Sequence, residues 1–264
     1  MVLRIALLQF PILWGDKESN LRLTEQRVQS LRGKADIALL PEMFTTGFCT
    51  DHPEKAETVH GETMKRLQAL SRQTDVAIAG SFICTDNGAL FNRGFLVSPD
   101  ALAMFTDKAH LYAHGGEDRF FKRGDTMDVW TYKGVRMRML ICYDLRFPVW
   151  ARNQSGNDYD VLLVSANWPE CRIQYWDALI AARATENQCY ICAVNPVGDD
   201  GTGLHYNGHS VAYDTRLKPI ARFEDNEQGI RIAELDIDAL HHFRETLPLW
   251  KDADQFTILR DNPD

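Results

Sequence analysis

The chain has 264 residues, 45% hydrophobic and 25% charged, the composition of a soluble globular protein long enough to bury a large core. Its net charge of −8 disfavours nucleic acid and anionic membranes as partners. No apolar run approaches the length of a bilayer span and the N-terminus lacks a signal-peptide cleavage site, so a cytoplasmic protein with one domain over residues 1–264 is expected.

Apolar runs alternate with amphipathic stretches along the chain. RIALLQF (4–10) predicts a strand. NLRLTEQRVQSLRGK (20–34) carries Leu21, Leu23, Val28 and Leu31 at roughly helical spacing, with Gly33 as a stop. DIALLPE (36–42) predicts a short buried strand, GETMKRLQALSRQT (61–74) an amphipathic helix and VAIAGSFIC (76–84) a strand. ALFNRGFLVSP and ALAMFTDK form an expected hairpin around Ser98, Pro99 and Asp100. A polar loop, AHLYAHGGEDRFFKRGD (109–125), precedes a second hairpin, DVWTYKGVRMRMLIC (128–142), with Lys133 and Gly134 at its turn. Pro148 opens an expected helix, PVWARNQ.

DVLLVSANW (160–168) predicts a strand and QCYICAVN (188–195) another. Between them QYWDALIAARATENQ (174–188) predicts a helix with Trp176, Leu179, Ile180 and Ala184 on one face. NGHSVAYD, KPIARF and GIRIAELD read as a meander, and DALHHFRETLP (238–248) as a terminal helix. This order predicts an α/β protein with two mixed sheets between helical layers. The strict alternation of a TIM barrel is missing, as are GxGxxG and P-loop motifs, and GDDGTG (198–203) reads as a turn.

Six cysteines in a chain of this length do not suggest a disulfide framework. Cys189 and Cys192 lie three apart in an expected strand, so they face opposite sides and share neither a metal nor a disulfide. His110 and His114, and likewise His205 and His209, are four apart but sit in glycine-bearing loops with no obvious acidic third ligand, so no metal site is expected.

Glu42, Lys108 and Cys142 each lie at or just past the carboxyl end of a predicted buried strand. Ligands of layered α/β sheets bind beyond those ends, so three strands ending together would gather a carboxylate, an ammonium and a thiol. A free thiol is mostly protonated at neutral pH, and a neighbouring base takes its proton as it attacks. With no histidine in an obvious pairing context, Glu42 is the candidate base. Lys108 and the backbone N–H of Tyr143 are candidate donors to an oxyanion. Taken singly, Cys142 also reads as a core side chain, Glu42 as a solvated or capping carboxylate and Lys108 as a surface charge, and the spacing leaves both readings standing.

LLPEMFTTGF surrounds Glu42, TDKAHLY surrounds Lys108 and LICYDLRFPVW surrounds Cys142, with SANWP and AARATENQ following in order. In these motifs, and across nearly all its length, the chain resembles the nitrilase, or carbon–nitrogen hydrolase, superfamily. The wording CYDLRFPVW and ANWP, with the short ending LPLWKDADQF, resembles the ω-amidase branch and its small bacterial members.

The resemblance implies a four-layer α-β-β-α sandwich of nitrilase type, paired as a homodimer. It implies a catalytic triad of Glu42, Lys108 and Cys142, and a second glutamate in the loop after the lysine, at Glu117 or, with a shift of one, at Asp118. No metal and no organic cofactor is implied. The implied reaction is hydrolysis of small monoamides of dicarboxylic acids, such as α-ketoglutaramate to α-ketoglutarate and ammonia, through a cysteine thioester. Such a substrate asks for a cation facing its far carboxylate: Arg172, His114 and Arg146 are candidates, Arg146 also reading as the structural partner of an acidic neighbour. Arg183 and Glu186 read as structural or interface pairs. Phe44, Tyr112 and Trp168 read either as walls of the pocket or as ordinary core and rim aromatics. The same triad serves nitriles, N-carbamoyl compounds, β-ureido acids and aliphatic amides, and a non-enzymatic alternative is a thiol redox sensor built on Cys142.

Overall fold

The structure, a computed structural model, describes residues 1–154, 156 and 158–259. β1 (Val2–Gln9) passes through helix α1 (Lys17–Gln29) to β2 (Ile37–Leu39), and α2 (Glu62–Thr74) leads on to β3 (Ala77–Asp86). Each helix returns the chain to a parallel neighbour, β1 to β2 and β2 to β3. β4 (Ala89–Val97) and β5 (Ala103–Asp107) then add two antiparallel strands. β6 (Trp130–Tyr132) and β7 (Val135–Ile141) open a second sheet as a hairpin. Its turn, Lys133 and Gly134, has positive φ at both residues (48° and 75°), the mirror-type geometry that matches strand twist. α3 (Pro148–Ala151) leads to β8 (Val161–Ser165), and α4 (Ile173–Asn187) to β9 (Tyr190–Val194), again with parallel pairing. β10 (Val197–Asp199) and β11 (His205–Asn207) form a small hairpin. β12 (Val211–Tyr213), β13 (Pro219–Arg222), β14 (Gly229–Asp236) and α5 (Ile237–Thr246) complete the order.

The layers follow from side-chain parity. On β1, Leu3, Ile5 and Leu7 point between the sheets while Ala6 and Leu8 point to the side of α1 and α2. On β8, Val161 and Leu163 meet the first group and Leu162 and Val164 face α4. Successive strand residues alternate faces, so runs apolar at both parities demand cover on both sides. One six-stranded sheet has the order β14-β1-β2-β3-β4-β5 and the other β13-β12-β9-β8-β7-β6. Leu21 and Val28 of α1 with Leu67 and Leu70 of α2 cover the first; Trp176, Ile180 and Ala184 of α4 cover the second. The result is the α-β-β-α sandwich expected.

Three elements depart from expectation. The last three strands are not one meander. β12 and β13 pair in the second sheet, whereas β14 crosses to the first and pairs all eight of its residues with β1, closing an edge that would otherwise expose unpaired backbone. The helix opened by Pro148 ends at Ala151 rather than running to residue 154. The terminal helix sends Ile237 and Leu240 into the core between the sheets, not onto an outer layer. Cys192 faces that inter-sheet core and Cys189 the opposite side, as their spacing requires.

Strand direction positions the site. β5 runs the same way as β2 and β3, because two antiparallel steps restore direction. β7, β8 and β9 are mutually parallel. The carboxyl ends of the two sheets meet where the Ser165 hydroxyl, at the end of β8, donates to the carbonyl of Leu40, just past β2.

Candidate active site

Glu42 stands three residues past β2, fully buried. Its backbone N–H donates to the Ala166 carbonyl at 3.3 Å. Asn167, two residues past β8, donates its backbone N–H to Glu42 Oε2 at 2.9 Å and its side-chain amide to the Glu42 carbonyl at 2.8 Å. Lys108 follows β5 directly and prolongs the ladder, its N–H donating to the Asn92 carbonyl at 2.9 Å. Its ammonium is buried and donates to Glu42 Oε1 at 2.9 Å and to both oxygens of Glu117, at 3.1 and 2.8 Å. Glu117 also accepts the Tyr112 N–H at 2.7 Å. Glu117 is the residue turned inward; its neighbour Asp118 is exposed.

Cys142 follows the last residue of β7 and takes a φ of 46°. That left-handed conformation costs a non-glycine residue on the order of 1–2 kcal/mol, and it turns the chain sharply out of the strand. The turn continues as a 3-10 segment, Cys142–Arg146, with Tyr143 in its first turn, where backbone N–H groups lack an acceptor within the helix. Two contacts over-determine it. Asp144 accepts the Ile141 N–H, and the buried Arg183 guanidinium donates to the Leu145 carbonyl at 2.8 and 3.1 Å. Arg183 also pairs with Glu186 at 2.9 Å, the structural role expected for both. The Cys142 thiol donates to the Asn167 carbonyl at 3.7 Å and remains partly exposed.

The groups act on one another. Burial raises the Glu42 carboxyl above its ordinary value; Lys108 pulls it back, and Glu117 adds to the rise. Burial alone would weaken the Lys108 ammonium, but the facing charges of Glu117 and Glu42 win and hold it above an ordinary lysine. The Cys142 thiol stands well above its ordinary value through burial first and the negative Glu42 second, with Lys108 opposing. The resting arrangement is therefore a neutral thiol beside a lysine ammonium paired with Glu42 and Glu117.

Above these groups lies a small cavity of about 50 Å³, walled by Phe48, Tyr112, Tyr143, Trp168 and Tyr206, with Arg146 and Arg172 at its lining. Tyr112, Trp168 and Arg172, candidates for substrate contact in the sequence, line this cavity. Phe44 does not: it packs on Phe95 at 6.0 Å in the core outside the first sheet, and Phe48, four residues on, takes the wall and lies 5.3 Å from the Lys108 ammonium. The chain turns at Met43, just before Phe44, and again at Gly47, just before Phe48, both at positive φ, so nearness to Glu42 in sequence does not carry over to direction. Arg146 is not the partner of an acidic neighbour either. Among the described residues no carboxylate pairs with it, and its guanidinium lies over the rings of Trp168 (4.9 Å) and Tyr175 (5.1 Å). Arg172 also has no carboxylate partner among them and sits 5.6 Å over Tyr112. His114 is exposed and outside the cavity lining.

Five contributors were not singled out in the sequence: Asn92, Asn167, Asp144, Phe48 and Tyr206. Only Asp144 and Asn167 carried a signal, as polar residues inside motifs already singled out. Of the paired histidines, His110 bonds Asp144 at 2.9 Å, while His205 pairs with Asp199 at 2.7 Å and His209 with Asp177 at 3.0 Å. Among the described residues no group of three or more His, Cys, Asp or Glu side chains is arranged to hold a metal ion. A larger cleft, about 480 Å³, lies at the opposite ends of β7, β8 and β9. It has no cysteine, serine or threonine among its described lining residues, and its charges pair internally, Arg136 with Asp158 and Arg244 with Asp160. Chemistry, not volume, marks the smaller cavity as the site.

Residues 4–245 match the family model described as carbon-nitrogen hydrolase. The chain is 40% identical over 259 residues to a protein of Yersinia enterocolitica named omega-amidase YafV, covering 97% of this chain and 99% of that one. It is 31% identical to the 2-oxoglutaramate amidase of Bacillus subtilis, over 94% of this chain and 96% of that one. Among solved structures, a CN-hydrolase superfamily protein of Xanthomonas campestris, which carries an arsenic adduct in its active site, superposes with a TM-score of 0.94 at 33% identity. That match covers 98% of this chain and 99% of the other.

Proposed function

The chain belongs to the carbon–nitrogen hydrolase family, and from that premise we propose that it is an amidohydrolase releasing ammonia from small monoamides of dicarboxylic acids. The observation that carries this reading is the convergence of Cys142 with the buried Glu42, Lys108 and Glu117 under a cavity that holds two guanidiniums with no carboxylate partner among the described residues. The names of the Yersinia and Bacillus relatives support the same substrate class.

The substrate carbonyl oxygen lies between the Lys108 ammonium and the Tyr143 N–H. Glu42 takes the thiol proton as Cys142 Sγ attacks the carbonyl carbon, and the two donors hold the negative charge that gathers on oxygen. A carboxyl raised by burial is a stronger base than a solvated one, which suits it to a thiol that is itself raised. The tetrahedral adduct collapses as Glu42 passes its proton to the nitrogen, ammonia leaves and a thioester remains. Water then attacks the thioester, Glu42 accepts its proton, and the departing thiolate is reprotonated as the acid is released. Glu117 holds Lys108 in place from the far side. Tyr112 and Trp168 wall the substrate, and Arg172, with Arg146, meets its far carboxylate. A redox sensor would use a thiol shifted down and exposed; the upward shift of Cys142 supports the hydrolase instead.

The same reading includes a homodimer in the cytoplasm. Val149 and Tyr175 expose apolar surface on the outer helical layer beside the second sheet, which a second copy would cover. Light scattering tests the dimer. Ammonia release from α-ketoglutaramate, glutamine, an aliphatic amide, a nitrile and a carbamoyl amino acid tests the chemistry, with Cys142→Ala as control. Turnover of the keto-acid amide that vanishes in the variant is expected. Preference for another substrate of the panel would keep the cysteine mechanism and remove the ω-amide assignment.

A further inference from the structure

We propose that Asn92 is a positioning residue of this site: a single buried amide ties Glu42 to Glu117 and holds both carboxylates in place around Lys108. The proposal rests on the reading of Glu42 as the general base.

Asn92 lies in β4 opposite Ile83 of β3, fully buried. Its Nδ2 donates to Glu42 Oε1 at 2.7 Å and to Glu117 Oε1 at 3.1 Å. Its backbone carbonyl accepts the Lys108 N–H at 2.9 Å. One residue therefore touches both carboxylates and the backbone of Lys108, which come from three separate segments of the chain. The amide has only one workable orientation, because carboxylate oxygens accept and do not donate; turning Oδ1 towards them would set acceptor against acceptor. Oδ1 is left buried with no hydrogen-bond partner among the described residues. An unpaired buried acceptor is destabilising, so what the amide contributes here is its two donated hydrogen bonds, which leucine would lack.

The function of the donor follows from charge. Two carboxylates share one ammonium, which leaves a net negative charge out of water. A buried cluster of that kind tends to bind a proton, and a proton on Glu42 removes the base. A neutral N–H donor stabilises the anions without adding a second positive charge that would depress their basicity further. The other titratable groups acting on Glu42 are Lys108 after β5, Glu117 in the loop beyond it, Cys142 after β7 and Tyr206 of β11. None of these supplies a neutral donor to both glutamates.

The test compares Asn92→Leu, Asn92→Ser and Asn92→Asp with the native protein, with folding followed by circular dichroism and thermal melting. Two pH profiles are read: kcat/KM for amide hydrolysis, and the rate of Cys142 alkylation by iodoacetamide. The second is followed by mass spectrometry of the Cys142 peptide, because Cys171 is also exposed. In Asn92→Leu the acid limb of both profiles is expected to move up by about one pH unit, the equivalent of one charge-assisted hydrogen bond. kcat should fall roughly 10–100-fold while KM changes by less than about 3-fold, as for a group that acts through the base and not on the substrate. Asn92→Asp should move the limb further, and Asn92→Ser less. A folded variant that loses rate with its acid limb unmoved, or that keeps the native rate and limb, overturns the proposal. If Asn92→Leu does not fold, the polar pair decides: no upward shift in Asn92→Asp overturns it equally. Should the native protein hydrolyse no amide, the functional reading fails, and the alkylation profile still reports on Asn92.

Discussion

Asp144 Oδ1 lies 2.9 Å from both the backbone nitrogen and the ring Nδ1 of His110, and 3.2 Å from the backbone nitrogen of Ala109. Its other oxygen accepts the N–H of Ile141. The carboxylate two residues after Cys142 thus fastens the nucleophile's turn to the backbone just after Lys108, and the His110 ring is fixed in turn by stacking 3.7 Å from Phe147. Asp144→Ala strands several buried N–H groups. It is expected to destabilise the protein by about 2–4 kcal/mol and to reduce turnover sharply. Asp144→Asn, which keeps one acceptor, should lose less stability. A urea midpoint for Asp144→Ala equal to that of the native protein would contradict the fastening role.

Lys108→Met is predicted to lower stability by about 3–5 kcal/mol at neutral pH, because it leaves Glu42 and Glu117 facing each other without their counter-charge. The sign of its pH dependence is fixed. Glu42 is already raised in the folded protein, and removing the ammonium raises it further. A carboxyl raised on folding binds its proton more tightly in the native state, so the folded state gains as pH falls and loses as pH rises through the folded value. The deficit of the variant relative to the native protein should therefore shrink in acid. Urea denaturation at a series of pH values measures it, and a deficit independent of pH would count against the charge cluster.

A thiol raised by burial and by Glu42 is protonated at neutral pH. The difference in ultraviolet thiolate absorbance between the native protein and Cys142→Ala should be close to zero there. A standing thiolate would remove the need for Glu42 as base. Glu42→Gln keeps the size of the side chain and removes the basic oxygen, and is expected to slow turnover by roughly 10²–10⁴-fold. In the native enzyme the acid limb of kcat/KM should lie above the value of about 4.3 of an unperturbed glutamate.

The strands that deliver Glu42 and Cys142 were legible because a run apolar at both parities that breaks off at a reactive side chain marks both a buried strand and its end; β5, which delivers Lys108, is instead a half-buried edge strand, and only the Lys108 side chain beyond it turns inward. Cys142 needed the family motif as well, since a cysteine after such a run reads equally as core. Asn92 was not legible: one amide in ALFNRGFLV has no periodicity of its own, and the partner that gives it meaning, Glu42, is fifty positions away. The exchange of β14 into the first sheet was hidden for a related reason. Alternation in GIRIAELD tells which residues are buried, but the same pattern suits pairing with β13 or with β1. Arg146 was misread because its partners are rings, Trp168 and Tyr175, and sequence offered only nearby carboxylates as the ordinary match for a guanidinium.

Arg146 and Arg172 supply the remaining prediction. Both line the cavity beside Cys142, both rest on aromatic rings, and among the described residues neither has a carboxylate partner. A guanidinium over an aromatic ring is held there by its charge and keeps N–H donors that can receive a carboxylate. Each charge-assisted hydrogen bond contributes about 1.5–3 kcal/mol, so Arg172→Gln and Arg146→Gln should each reduce kcat/KM for a keto-acid amide by roughly 10–100-fold. An amide of the same length without a far carboxylate should lose much less, and the ratio between the two substrates is the quantity to measure. Loss in KM with kcat nearly held identifies binding that is uniform through the reaction, as expected for a group remote from the breaking bond. Arg172→Lys separates charge from shape: it keeps the cation and loses the planar fork of donors, so a ratio near the native value assigns discrimination to charge, and a ratio as low as that of Arg172→Gln assigns it to the fork. Equal losses on both substrates in the glutamine variants would mean that the arginines shape the cavity without reading the carboxylate.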